Sequence, residues 1–291
     1  MHIGAHKSAS THFQALCMAN RAALRACGCA YFGPERLRDD LKLPGYYPSR
    51  DAMRGQGAAL RQVLGAESRA GRCVLLSDEN ILGSPRPPAT MSGAQLYPKA
   101  AARLEAAFAA LDLSGVRLAL CIRNPLDWLV SGWGHQFLAG RPVGFEDFCS
   151  GIAPMALRWS EMAGRLLGLE AVSGVVLWRY EDYRALAPQL PTALVGLEPL
   201  PVQAMPEEGR ARRYLTGPSA RAITALPRIM AREPDLTAHA AMRKAMSRFP
   251  KGANWPGPQP FAAAQRAEAQ QSYLEDWARL AELESVTCLT P

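Results

Sequence analysis

Short apolar runs alternate with segments of helical periodicity through the first 185 residues of this 291-residue chain. The short runs favour β-strands, and the longer segments repeat apolar residues every three to four positions, as amphipathic helices do. Strands separated by helices form βαβ units, so the pattern predicts an α/β fold with a parallel sheet and helices on both faces. The predicted strands span residues 2–3, 30–32, 73–76, 116–122 and 175–178, and the clearest helices span residues 11–26, 100–111 and 127–138.

The strand pattern stops at about residue 210, and three helical patterns follow. A chain of this length can form one large α/β domain with an additional helical part. We therefore predict an α/β domain over residues 1–209 and a helical extension over residues 210–291 that packs on the same domain. The three helical patterns span residues 218–233, 235–248 and 261–284, and a Pro/Gly-rich link over residues 250–260 precedes the last of them.

Composition excludes several classes of protein. The chain is 48% hydrophobic and 20% charged, which is typical of a soluble globular protein. No apolar stretch approaches the ~20 residues of a membrane span, and the first eleven residues include Lys7 and two histidines instead of an apolar leader. We therefore expect a cytoplasmic protein. The seven cysteines are scattered without a CxxC pair, which predicts reduced thiols, and no cluster has metal-ligand spacing, so we predict no metal.

The charge of the chain favours an anionic ligand. The formal net charge is +7, and such a field raises the rate at which an anion encounters the protein. The basic residues are spread along the chain without a run of five or six, which argues against a nucleic-acid partner. Only five of the 33 basic residues are lysines, so the position of each lysine is informative.

The loop after the first predicted strand has the composition of an anion site. Residues 3–11 join a strand to a helix with small residues, one lysine and three hydroxyl groups. Unpaired N–H groups and the helix dipole favour an anion at such a helix start, and Lys7 adds a mobile positive charge. The hydroxyls of Ser8, Ser10 and Thr11 can donate hydrogen bonds. The alternative is an ordinary helix that one of these hydroxyls caps, which would leave the lysine unexplained.

A second polar motif follows the strand over residues 116–122. Asn124, Pro125 and Asp127 suit the start of a helix, but this leaves Arg123 unexplained. An arginine at the end of a strand presents a planar fork suited to phosphate, and Ser131 lies two helical turns further on. Open parallel sheets bind ligands at the carboxyl ends of their strands. Two anion sites at this edge fit a ligand that carries a phosphate group at each end.

The two motifs together resemble those of sulfotransferases that depend on 3′-phosphoadenosine 5′-phosphosulfate (PAPS). Lys7-Ser8-Ala9-Ser10-Thr11 is similar to the 5′-phosphosulfate loop of that family, and Arg123-Asn124-Pro125-Leu126-Asp127 with Ser131 is similar to its 3′-phosphate motif. Residues 179–183, Arg-Tyr-Glu-Asp-Tyr, resemble a further family run. The resemblance covers about residues 2–183. Beyond it, residues 249–252 only partly resemble the Arg-Lys-Gly loop that covers the 3′-phosphate in cytosolic members.

The resemblance implies a P-loop-type parallel sheet, PAPS as co-substrate, and transfer of a sulfuryl group to a hydroxyl acceptor, for which a carbohydrate is one candidate. It implies that Lys7 contacts the bridging oxygen between phosphate and sulfate, and that residues 8–11, including Ala9, hold the 5′-phosphate. Arg123 and Ser131 would hold the 3′-phosphate. We further expect the helical extension to border the acceptor site. Four prolines and a glycine over residues 84–98 predict a surface loop that borders a site.

A base for the acceptor hydroxyl must lie within hydrogen-bond reach of it. Glu79 is the first choice because it follows the predicted strand over residues 73–76 and so lies at the ligand edge; alternatively, it only favours the dipole of a helix that begins there. Glu35 comes next, and a histidine, His6 or His135, is the remaining option. We expect both histidines to be structural, and we expect the tryptophans that could stack on adenine, Trp128, Trp133 and Trp255, to pack in the core.

Two other functions remain open. A nucleotide kinase or ATPase requires the GxxxxGK[ST] loop, but here the only glycine lies three residues before Lys7. The strand over residues 73–76 followed by Asp78 and Glu79 partly resembles the magnesium-binding strand of such enzymes. A catalytically inactive nucleotide-binding module would keep both anion sites without transfer.

Overall fold

The computed structural model describes residues 1–40, 57–87, 89–197 and 216–291. Within these ranges the main sheet contains five strands that pair in parallel, and a short antiparallel hairpin lies outside it. The strands of the main sheet are β1 (Cys29–Phe32), β2 (Cys73–Leu76), β5 (Val116–Ile122), β6 (Val172–Arg179) and β7 (Val286–Leu289), and the hairpin consists of β3 (Met91–Ser92) and β4 (Gln95–Leu96).

The first three residues join the two halves of the sheet. His2 N–H donates to the Leu76 carbonyl at 2.7 Å, and Ile3 N–H donates to the Ala119 carbonyl at 2.9 Å. The order across the sheet is therefore β1, β2, the N-terminal segment, β5, β6 and β7. The chain leaves the N-terminal segment toward β1 and later crosses to β5 on the opposite side. Parallel sheets bind ligands at such a reversal of direction, in the crevice outside the carboxyl ends of the strands.

Helices cover both faces of the sheet. Leu118, Leu120 and Ile122 of β5 share one core cluster with the helix that follows β5, and Ala119 and Cys121 share the other with the first helix. Successive side chains of a strand point to opposite faces, which is why one apolar strand supplies two cores. The longer helices are α1 (Ser10–Ala19), α2 (Arg21–Ala26), α3 (Ala58–Arg69), α4 (Ala100–Leu111), α5 (Pro125–Leu138), α7 (Trp159–Leu167), α10 (Ala220–Arg232), α11 (Ala238–Arg248) and α12 (Ala263–Glu282), and the single turns are α6 (Phe145–Phe148), α8 (Tyr183–Leu186) and α9 (Leu190–Ala193). The predicted fold class is confirmed.

Local details differ from the expectation in two places and agree with it in a third. The single helix predicted over residues 11–26 is two helices, because the chain breaks at Asn20 before α2 begins. Gly28, with φ of 86°, follows α2 as predicted for a residue that ends a helix. The proline-rich segment over residues 84–98 is not a plain loop, since it contains the β3–β4 hairpin among its described residues.

The expectation that strands stop near residue 210 was wrong. The three C-terminal helices occur close to their predicted ranges, but β7 follows α12 and pairs in parallel with β6. β7 is only four residues long and half buried, so its sequence carries a weak strand signal, and its partner supplies the hydrogen bonds. The division into two parts at residue 210 itself stays a prediction. No helix in the described ranges is long and apolar enough to cross a membrane.

Candidate active site

A cleft of about 910 Å³ opens at the carboxyl ends of the central strands. Its floor is the loop after the N-terminal segment together with the residues that follow β2, β5 and β6, and α5 and the chain after α11 form its walls. Most of the predicted site residues line this one cleft, namely Lys7, Ala9, Ser10, Thr11, Glu79, Arg123 and Ser131. Ser8 and Glu35 are not among its lining residues.

The loop after the N-terminal segment is tightly folded. Gly4, Lys7 and Ala9 all have positive φ, near 62–66°. A side chain at Gly4 would lie 2.5 Å from the Ser10 hydroxyl, so this turn requires a glycine. Ala9 is the N-cap of α1 and provides no side-chain cap. The first N–H groups of α1 therefore remain available to a ligand. An anion site requires this, whereas a helix start capped by one of the hydroxyls would have occupied an N–H group.

Two of the three hydroxyls in this loop stabilise the loop itself. Ser8 is 1% exposed, and its hydroxyl donates to the Ala5 carbonyl at 2.5 Å and accepts from the Ala5 N–H at 3.2 Å. The Ser10 hydroxyl donates to the same carbonyl at 3.3 Å. Thr11 is exposed in the cleft. Ser8 can therefore contribute its backbone to a bound anion, whereas Thr11 can contribute its side chain.

Lys7 and Arg123 bring two positive charges together. One terminal nitrogen of Arg123 donates to the Lys7 carbonyl at 3.4 Å, and the guanidinium lies 4.3 Å from the ring centroid of Tyr180. Arg123 Nε is buried, and no described residue is its hydrogen-bond partner. Burial, and after it the charge of Arg123, lowers the pKa of Lys7. Two like charges and an unpaired donor are unfavourable unless an anion binds between them.

The helix α5 begins directly after Arg123. Asn124 caps it by accepting the Leu126 N–H at 3.0 Å, and Pro125 occupies its first turn, so both residues have the predicted helix-starting role. The Trp159 indole donates to the Arg123 carbonyl at 2.7 Å and fixes the backbone there. These contacts hold the guanidinium at the mouth of β5 independently of any ligand.

The same helix carries Ser131 and His135 along the cleft. His135 Nδ1 is buried and has no hydrogen-bond partner in the ranges that the structure describes. Burial, followed by the charge of Lys7, lowers the pKa of His135 to about 4. The imidazole is consequently neutral at pH 7. His135 is a weak base in this state, because it takes up a proton only well below neutral pH.

Glu79 lies on the opposite side of the loop from α5. It begins a 3₁₀ turn that Asp78 caps, and one carboxylate oxygen accepts from the Gln14 amide at 2.7 Å. Arg38 donates to both oxygens of Asp78, at 2.8 and 2.9 Å, and more weakly to Glu79 at 3.4 Å. The carboxylate of Glu79 is thus oriented by Gln14 and Arg38, and it still lines the cleft.

A hydrogen-bond network fixes the backbone of the loop at His6. Its N–H and Nδ1 lie 2.8 and 2.9 Å from the Tyr97 hydroxyl, its Nε2 lies 3.0 Å from the Asn80 amide oxygen, and its carbonyl accepts from the Trp128 indole at 2.5 Å. Burial lowers the pKa of His6. Both imidazole nitrogens have partners, which agrees with a structural role. No local pattern marks Tyr97 or Asn80, so sequence reasoning missed them.

The aromatic and C-terminal residues of the cleft were not all anticipated. Trp128 and Trp133 are buried core residues, as expected, whereas Trp255 is 37% exposed and outside the cleft lining. Tyr180 lines the cleft instead; it lies two residues after the predicted strand over residues 175–178 and within the run over residues 179–183, and these are the signals that could have found it. Lys251 and Arg266 add two positive charges from the C-terminal part. The partial resemblance at residues 249–252 therefore falls on the cleft.

Comparison with known proteins gives little further information. No family model matches the chain, and no curated protein matches it. Among solved structures, it is similar to a sulfotransferase from Alicyclobacillus acidocaldarius, with 16% identity and a TM-score of 0.40 over 81% of this chain and 96% of that chain. We base no conclusion on a similarity of this size. Among the described residues no group of three or more His, Cys, Asp or Glu side chains could hold a metal ion.

Proposed function

We propose that this chain is a sulfotransferase that moves a sulfuryl group from PAPS to a hydroxyl acceptor. The observation that carries the proposal is the convergence of Lys7 and Arg123 with the open N-terminus of α1 in one cleft. Two anion sites side by side suit a nucleotide with phosphate groups at both ends. The two motifs that contain these residues also resemble those of PAPS-dependent sulfotransferases.

The residues fit this donor. The backbone of residues 8–11 and the Thr11 hydroxyl would hold the 5′-phosphate. Arg123 with Ser131 would hold the 3′-phosphate, since Arg123 Nε has no hydrogen-bond partner among the described residues. PAPS supplies an activated sulfuryl group. Lys7 would stabilise the negative charge that develops on the bridging oxygen as the sulfur–oxygen bond breaks. Cationic groups and N–H dipoles can provide this stabilisation.

Glu79 is the proposed base for the acceptor hydroxyl. It lines the cleft next to the loop that carries Lys7, and its carboxylate can accept a proton. Both nitrogens of His6 already have hydrogen-bond partners, and His135 lies on α5 one turn beyond Ser131, the residue proposed for the 3′-phosphate. Glu35 is exposed outside the cleft lining. Glu79 is therefore the carboxylate that both lines the cleft and is oriented there, by the hydrogen bond from Gln14.

The kinase or ATPase alternative has less support. Asp78, which would be the magnesium-binding residue after β2, is fully buried in a two-pronged ion pair with Arg38. Moving it to a metal would break this two-pronged ion pair. An inactive nucleotide-binding module would have the same cleft and bind the same nucleotide, but it would not transfer the sulfuryl group.

Calorimetry separates these functions. We expect 3′-phosphoadenosine 5′-phosphate to bind and ATP with magnesium to bind more weakly, because only the first places a phosphate at Arg123. Binding of ATP without binding of the bisphosphate would refute the proposal. Transfer of labelled sulfate from PAPS to a panel of hydroxyl compounds then separates an enzyme from an inactive module. Binding of the bisphosphate without transfer to any member would favour the module.

A further inference from the structure

A second pocket of about 510 Å³ lies beside the cleft. The two pockets share a wall. Pro85 and His135 line the cleft, whereas their neighbours Arg86 and Gln136 line the second pocket. The Gln136 amide donates to the Pro85 carbonyl at 3.3 Å across this wall. The second pocket therefore adjoins the cleft along α5, at His135 and Gln136.

Two unpaired arginines line this second pocket. Neither Arg86 nor Arg141 forms an ion pair or a side-chain hydrogen bond with any residue in the described ranges, and both are exposed to solvent. Asp147 is the one carboxylate among the described residues that line it. The pocket is therefore positive, and a guanidinium fork binds carboxylate, sulfate and phosphate groups with two parallel hydrogen bonds.

The electrostatics connect Arg141 to the cleft. After burial and the charge of Lys7, the charge of Arg141 is the next influence that lowers the pKa of His135. A molecule that extends from the cleft past His135 thus enters the field of Arg141. Together the two spaces are large enough for an acceptor of sugar size or more, since ligand pockets are typically ~300–1,000 Å³.

We propose that this second pocket is an acceptor subsite that selects hydroxyl compounds carrying a carboxylate or sulfate group, with Arg86 and Arg141 as the selecting residues. The assignment of the pocket to an acceptor rests on the proposed function. The preference of the pocket for anions can be measured without any transfer reaction.

The test uses matched glycosides and the protein saturated with 3′-phosphoadenosine 5′-phosphate. Methyl β-D-glucuronoside differs from methyl β-D-glucoside by one carboxylate, and the 6-sulfate of the glucoside supplies a sulfate in its place. We expect the charged glycosides to bind about five- to tenfold more tightly, the size of one or two partly exposed ion pairs. The ratio of the two charged affinities shows which anion the subsite prefers.

Variants identify the residues that cause the preference for charged glycosides. This preference should fall in Arg86→Ala and in Arg141→Ala and should be lost in the double variant. It should rise in Asp147→Asn, because the opposing charge is gone. Arg243→Ala is the matched control, since Arg243 is an exposed arginine outside both pockets. Equal binding of neutral and charged glycosides, no measurable binding of a charged glycoside, or the same loss in the control would overturn the subsite. Failure of the bisphosphate to bind would instead refute the proposed function, and the glycoside series without nucleotide would still decide the subsite.

Discussion

Replacement of Arg123 by alanine tests the donor site most directly. In the described part of the chain, the buried Nε of Arg123 has no hydrogen-bond partner, while a terminal nitrogen contacts the Lys7 carbonyl at 3.4 Å and the guanidinium stacks on Tyr180 at 4.3 Å. Its carbonyl already accepts from Trp159, so the backbone should keep its position when the side chain is removed. The variant therefore removes a charged donor from the cleft with little change to the fold.

The expected loss follows from the contacts. A hydrogen bond to a charged group contributes about 1.5–3 kcal/mol, so the affinity for 3′-phosphoadenosine 5′-phosphate should fall roughly ten- to a hundredfold. The charge of Arg123 also lowers the pKa of Lys7, so its removal lets that pKa rise. The alkaline decline in bisphosphate affinity, which follows deprotonation of Lys7, should therefore move to higher pH in Arg123→Ala.

Calorimetric titration of the bisphosphate across pH 7–10.5 measures both effects. Arg117→Ala is the matched control, because Arg117 is exposed at the opposite end of the same strand and outside the cleft lining. Arg123→Lys should give an intermediate affinity, since it keeps the charge but loses the planar fork. Unchanged affinity in Arg123→Ala, or an equal loss in Arg117→Ala, would show that Arg123 does not hold the ligand.

The remaining predictions concern other groups around the cleft. Lys7→Ala should lower turnover by a larger factor than it lowers bisphosphate affinity, because its main contact strengthens only in the transition state; equal losses in rate and affinity would contradict this role. Glu79→Gln should reduce transfer about 10²- to 10⁴-fold with near-normal bisphosphate binding, and full activity would move the base to Glu35 or a histidine. Gly4→Ala should destabilise the protein by about 1–3 kcal/mol more than Gly115→Ala. Both glycines have φ near 62–63°, but only at Gly4 would the new carbon meet atoms at 2.5 and 2.9 Å. Thermal unfolding of both variants measures the difference. The unfolded chain takes up a proton at His135 near pH 6.5, whereas burial keeps the pKa near 4 in the fold, so stability should fall as the pH drops from about 6.5 to 4. Urea unfolding of His135→Asn should show a shallower decline over this range, and an identical decline would refute the assignment.

The elements that sequence predicted best are those with strong local signals. The strand over residues 116–122 and the helix over residues 100–111 occur with the predicted bounds. Helical period and apolar run length are properties of a few neighbouring residues, so they survive in any tertiary context. β7 lacked such a signal because its four residues depend on the hydrogen bonds of β6.

The sequence by itself determined the chemical types present at the cleft. The spacing of Lys7 from its helix, and of Arg123 from its strand, is local, and any parallel sheet places both residues at its carboxyl edge. The direction of Ser8, by contrast, could not be predicted, because its hydroxyl satisfies a carbonyl within the loop and turns away from the cleft. The exposed position of Glu35 outside the cleft could not be predicted either.

Only the tertiary structure decided which residues meet. Arg123 reaches the Lys7 carbonyl across 116 residues of chain because the N-terminal segment lies beside β5. Tyr97 reaches His6 across 91 residues, and Arg38 reaches Asp78 across 40. The free energy of such contacts depends on burial and on the distance between groups that are far apart in the chain. Strand order sets these distances, and it is fixed by the packing of the whole sheet.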